Sequence, residues 1–138
     1  MKNSRGAVII LRKGEDFRAG LTAQLKERGL TSAFLYGVGG FLRAELAVFD
    51  SDQREYRKKV FEAHQLEVLN LTGDVSEGPA GELVIHCHVV LAEQDYRAIG
   101  GHLVDATVGA TCEITIEPLN YQLTRRPDPD SGINTIQN

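Results

Sequence analysis

Leu83-Val84-Ile85-His86-Cys87-His88-Val89-Val90-Leu91 runs nine residues without glycine or proline and is rich in β-branched side chains. Such a stretch reads as one long strand. Successive strand side chains point to opposite faces. His86 and His88 therefore share one face, about 6.6–7 Å apart at the backbone, while Ile85, Cys87 and Val89 share the other. A polar connection, Glu93 to Gly101, leads to His102 at the start of a further strand. If the two strands pair antiparallel, His102 returns beside the first. Gly100-Gly101 just before it permits a close backbone approach.

Working outward, the rest of the chain is mostly strand. Ala7 to Leu11 is β-branched and extended, and Gly14 punctuates it. Between Glu15 and Arg28 the period changes: Phe17, Leu21 and Leu25 recur every four residues, and Gly29 stands at the C-terminal cap position. This is the one convincing helix. Ser32–Val38 and Leu42–Phe49 read as strands either side of Gly39-Gly40, which marks a sharp turn, a bulge or a close backbone approach. Tyr56–Phe61, Leu66–Thr72, His102–Val108 and Cys112–Glu117 follow as further strands. From Arg125 the chain carries proline, aspartate, serine and asparagine without periodicity, and the expectation there is a loose surface tail. The predicted organisation is a single domain over 1–124 and a flexible tail over 125–138. Its expected fold class is α+β, with one main helix on a largely antiparallel sheet.

Composition sets the outer bounds. The chain has 138 residues, 42% hydrophobic and 25% charged, which suits one folded domain and excludes wholesale disorder. Fifteen Lys and Arg against nineteen Asp and Glu leave a net charge of −4, a poor global field for a polyanion. Arg54, Arg57, Lys58 and Lys59 form the one basic cluster, and on a strand they divide between two faces. Two cysteines make no disulfide framework, and no apolar run near the start is long enough for a signal core or a membrane span. The expectation is a cytoplasmic, soluble protein with no membrane partner.

Three of the four histidines fall within seventeen residues: His86, His88 and His102. Three imidazoles on adjacent strands form the ligand set of an open zinc site, with water or substrate in the fourth position. The alternative is packing, with each ring hydrogen-bonded to a polar neighbour. A neutral three-nitrogen set without thiolate makes Zn2+ the default cofactor, and such an ion lowers the pKa of bound water towards ~7. Cys87 lies on the opposite face and is not expected to ligate. Glu113, out of phase with Ile114 and Ile116, is the candidate catalytic carboxylate, able to orient an imidazole N–H. Its bland reading, an exposed strand carboxylate, is favoured by base rates. Asp95 and Asp105 are lesser candidates, Asp95 being equally a turn residue. His64 stands apart as a surface or strand-end histidine. A glycine-rich region around Gly37, Gly39 and Gly40 is either a bulge or an anion-accessible backbone.

The ordered set Leu69-Asn-Leu-Thr-Gly-Asp-Val-Ser76, Val84-Ile-His-Cys-His-Val-Val-Leu91, Gly100-Gly-His-Leu103 and Thr111-Cys-Glu-Ile114 resembles the PPC (plants and prokaryotes conserved) domain, over about Gly6 to Pro118. The resemblance implies a compact α+β domain that assembles as a homotrimer. It also implies a metal site in stand-alone members, with His86, His88 and His102 as ligands. Plant members carry AT-hooks, which implies DNA as an alternative partner. Here the nearest element is Arg125-Arg126-Pro127, which lacks the central glycine and runs into Asp128 and Asp130. A small-molecule ligand is the other partner expected. Some physical support for self-association exists, since one helix leaves part of the sheet uncovered. Leu66–Leu71 is one candidate interface strand and is equally a core strand.

Overall fold

The computed structural model describes residues 6–137. Its elements are β1 (Ala7–Arg12), α1 (Phe17–Glu27), β2 (Ala33–Asp50), β3 (Glu55–Glu77), β4 (Leu83–Ala92), β5 (Ala98–Pro118), β6 (Thr124–Pro127) and β7 (Asn134–Gln137). The sheet is antiparallel except for one parallel pairing of Glu77 with Thr124, and its order is β1-β5-β2-β3-β6-β7. β4 lies off that path and pairs both β3 and β5, so β2, β3, β4 and β5 form a closed ring of ladders.

The helix forms where the four-residue period predicts. Asp16 caps it by accepting a hydrogen bond from the Ala19 N–H, and Gly29 ends it at φ 65°. Phe17, Leu21 and Leu25 are fully buried against the inner face of the sheet, with Phe17 edge-on to Phe41. Each such side chain contributes about 1.5–3 kcal/mol through the water it sheds. Alternation does the rest: Ile9 and Leu11, Leu35, Cys87 and Val89, and Ile114 and Ile116 all face inward.

Three pairs of expected strands are single long strands. Gly39-Gly40 does not end a strand; it bulges β2, with register shifts between Gly37 and Gly39 and between Phe41 and Arg43. At φ 151°, Gly39 lets the backbone press on β5, where a Cβ would sit 2.2 Å from the Thr111 carbonyl oxygen. β3 spans both of its expected halves, and β5 likewise. A bulge bends a strand without breaking its ladder, and sequence punctuation does not separate the two outcomes.

The loose tail expected from Arg125 is corrected. Residues 124–137 contain a β6–β7 hairpin paired from Thr124↔Gln137 to Pro127↔Asn134, and Arg125 is buried. What the composition could not show is a buried carboxylate, Asp74, waiting for that guanidinium.

Gly39→Ala should lower stability by about 1–3 kcal/mol, because the added carbon meets backbone that cannot rotate away. Urea denaturation of the variant beside the parent chain measures it.

Candidate metal centre

The site forms where β4 and β5 part company. The two strands pair from Ala92↔Ala98 to His88↔His102 and no further. Beyond that last pair β4 continues beside β3, and β5 continues beside β2. His102 thus returns directly opposite His88, as antiparallel pairing requires. Gly100 and Gly101 allow it, since a Cβ on either would lie 2.7–2.8 Å from a carbonyl oxygen of a neighbouring strand.

His86, His88 and His102 come together. Their ring centroids are 5.0, 5.2 and 5.7 Å apart, and their ligand atoms all lie within 4.8 Å of one another. Two donors on one tetrahedral zinc stand roughly 3.3–3.4 Å apart, so small ring rotations close the trio on one ion. His102 Nδ1 is buried with no hydrogen-bond partner among the described residues. An imidazole nitrogen removed from water needs a proton donor, an acceptor or a metal, and this one has none of the first two. The donor set fits a borderline-soft divalent ion.

The electrostatics agree. Burial, with His86, His88, Arg18 and Arg125 as positive neighbours, pushes the His102 pKa down to about 4. Burial and His86 lower that of His88 as well. Both rings favour the neutral, ligating form at neutral pH.

Around the trio stand residues the sequence reading missed. Tyr56 stacks on His102 at 5.0 Å. Asp74 pairs with His86 across β3 and β4, its Oδ2 3.6 Å from His86 Nδ1. Arg125 donates two hydrogen bonds to Asp74, at 2.8 and 3.0 Å, and one to Ser76 Oγ, and its Nη2 lies 3.2 Å from His86 Nδ1. Burial raises the Asp74 pKa, but hydrogen bonds from His86 and Arg125 outweigh it and hold the carboxyl below its usual value. A guanidinium can only donate, so Arg125 favours a lone pair on His86 Nδ1, whereas Asp74 favours a proton there. With the proton facing Asp74, the other ring nitrogen is free to ligate. An Asp after a strand glycine and an Arg in a polar tail carry no sequence signal that links them to a histidine.

Other candidates lie elsewhere. Cys87 is fully buried on the inner face, and burial pushes its pKa to about 12. Glu113 does face away from Ile114 and Ile116, but it is exposed beside Ile10 and Val38, three strands across the sheet from His88. Asp95 is a turn residue whose carboxylate accepts from the Arg97 N–H. Asp105 accepts from the N–H groups of Ala106 and Arg18, and burial raises its pKa, with Asp16 adding to the effect. His64 is exposed within β3, away from the trio. Of the basic cluster, Arg57 pairs with Asp50 at 3.4 Å and Lys59 covers the Phe61 ring.

Residues 1–120 match the family model of the Plants and Prokaryotes Conserved (PCC) domain, and the chain belongs to that family. A Synechococcus bifunctional protein GlmU is 30% identical over 122 residues; the match takes in 86% of this chain and 18% of that much longer protein. Two solved structures superpose over nearly the full length. One is a Bacteroides thetaiotaomicron protein with a provisional DNA-binding name, at TM-score 0.90 and 27% identity, covering 99% of this chain and 94% of the other. The other is a metal-containing protein of Archaeoglobus fulgidus, at TM-score 0.89 and 29% identity, covering 98% and 94%.

The depressed histidine pKa values fix how the metal-free protein responds to acid. Unfolded histidine takes up a proton near pH 6.5, whereas folded His102 resists until about 4. Stability should therefore fall as pH drops from 6.5 towards 4, since the unfolded state binds more protons in that window. His102→Asn should flatten that fall. Asp74, whose folded pKa is lowered, adds its own loss only at still lower pH. Urea midpoints at stepped pH with chelator present measure both.

Proposed function

We propose that this chain is a metal-binding domain whose open three-histidine site holds Zn2+ and presents it to a small molecule. The observation that carries the reading is the convergence of His86, His88 and His102, the last of which buries an Nδ1 that has no hydrogen-bond partner among the described residues. A metal-containing relative of the same shape supports it. Three protein ligands leave a coordination position for water or a ligand, and a bound zinc supplies Lewis acidity and an acidified water there. The chain's own residues do the positioning. Asp74 orients His86, Arg125 neutralises Asp74, and Tyr56 packs against the His102 ring.

A DNA-associated role is the second reading, favoured by the provisional name of the Bacteroides relative. Against it stand the net charge of −4 and a basic cluster in which Arg57 pairs with Asp50 and Lys59 lies over the Phe61 ring. Phosphate contacts need a concentration of cations, which a chain of this net charge does not favour.

The domain is further proposed to act as a homotrimer. One outward row of paired residues runs Val8, Thr115, Tyr36, Thr72, His88 and His102, crossing from β1 through β5, β2 and β3 to β4 and ending at the site. Ile10, Phe34 and Val38 flank it, and all three are exposed with Val8 and Tyr36. An apolar face of this extent is what an interface between copies covers.

His88→Ala should abolish stoichiometric zinc while leaving circular dichroism and the urea midpoint nearly unchanged, because His88 is exposed. Elemental analysis of purified protein before and after chelation measures it; unfolding on chelation would instead make the metal structural. Val38→Glu should turn a species of three times the 15.2 kDa chain mass into monomer, read by sedimentation.

A further inference from the structure

Beside the histidine trio lies a cavity of about 1190 Å3. Metabolite-sized ligands occupy clefts on the order of 300–1,000 Å3. The outer wall is the β6–β7 hairpin, and Arg54 at the β2–β3 turn fastens that wall by donating to the carbonyls of Pro129 and Asp130. The inner surface is mixed. Val84, Ile85, Val104, Ile133 and Ile136 supply hydrocarbon, and the charged lining consists of Arg18, Arg125, Asp74 and Asp128.

Those four charges do not cancel in place. Arg125 and Asp74 neutralise one another through two hydrogen bonds. Asp128 accepts from the N–H groups of Asp130 and Ser131 and sits near Arg54. Arg18 is different. Half-buried, it donates from Nε to Val104, from Nη1 to Ile85 and from Nη2 to Leu103, all carbonyl oxygens at 2.8–2.9 Å. Among the described residues no carboxylate lies within 4 Å of its guanidinium. A guanidinium has five N–H groups, so two are left over. A half-buried guanidinium at a cavity wall, with two N–H groups beyond its carbonyl partners, can take an anion by charge-assisted hydrogen bonds.

We propose that this cavity binds a small organic carboxylate, its charge set against Arg18 and its apolar body against the hydrocarbon lining. The inference deepens the metal reading by naming the class of molecule presented to the histidine trio. The charge of Arg18 is independent of the metal, so the two can be tested apart.

The probes are 4-fluorobenzoate and 4-fluorobenzamide, nearly equal in shape and different in charge, followed by 19F NMR. With metal-free wild-type protein, the carboxylate should bind roughly fivefold or more tightly than the amide, the order expected of one ion pair. The preference should widen when zinc is added and vanish in Arg18→Met without zinc. Equal binding of the two probes, or binding of neither, overturns the proposal, and this comparison needs no variant to fold. As a second measurement, soaked 4-bromobenzoate should place its bromine in this cavity by anomalous scattering; bromine found only elsewhere also overturns it. Zinc content, measured separately, decides the metal reading: a chain that binds benzoate but no zinc loses that reading and keeps this one.

Discussion

The fork between β4 and β5 is the constraint on which the rest depends. Two neighbouring strands that stop pairing expose backbone carbonyls inside the protein, and buried polar groups must find partners. Arg18, projecting from the first turn of α1, takes the carbonyls of Ile85, Leu103 and Val104. Val104 has no partner in the β2–β5 register, so the strand is bulged where the guanidinium arrives. A single side chain thus ties the helix to both prongs and holds the fork open. His88 and His102 form its last pair, and His86 lies two residues into the opening.

A second arginine does the corresponding work on the outer face. Arg125 reaches from the β6–β7 hairpin to Asp74 and Ser76 and lies against His86. Removing either partner of such a buried pair strands the other charge, at a cost of about 3–5 kcal/mol. The hairpin is therefore anchored by electrostatics rather than by an apolar core of its own, and it walls a cavity where the sheet alone would leave an open face. The site is assembled from segments far apart in sequence, each brought in by a polar contact with the backbone or with a neighbouring charge.

That division explains which parts were legible in the sequence. Period-two and period-four patterns are local, so the helix at Phe17–Glu27, the strand at Leu83–Ala92 and the facing of its two histidines against Cys87 could be read directly. The return of His102 beside His88 followed from antiparallel pairing alone. Long strands were read as halves because a glycine bulge and a glycine turn look alike in one dimension. Tyr56, Asp74, Arg18 and Arg125 were illegible for another reason. Their roles come from pairings across tens of residues, and polar side chains in a strand, a helix or a tail give no sign of which will be buried. A composition that spelled a loose tail from Arg125 missed both the burial of that residue and the hairpin its neighbours form.

The alternation in β4 has a consequence for how the chain can change over evolutionary time. Thiol and imidazole occupy adjacent positions on opposite sides, so losing or gaining one residue between Ile85 and Val89 would swap them. The hydrocarbon interior would then receive two ring nitrogens, and the outer surface a sulfur. Length variation should accumulate instead at the exposed Glu93–Arg97 turn, where Tyr96 projects into solvent and an added residue can loop outward while His88 and His102 keep their pairing.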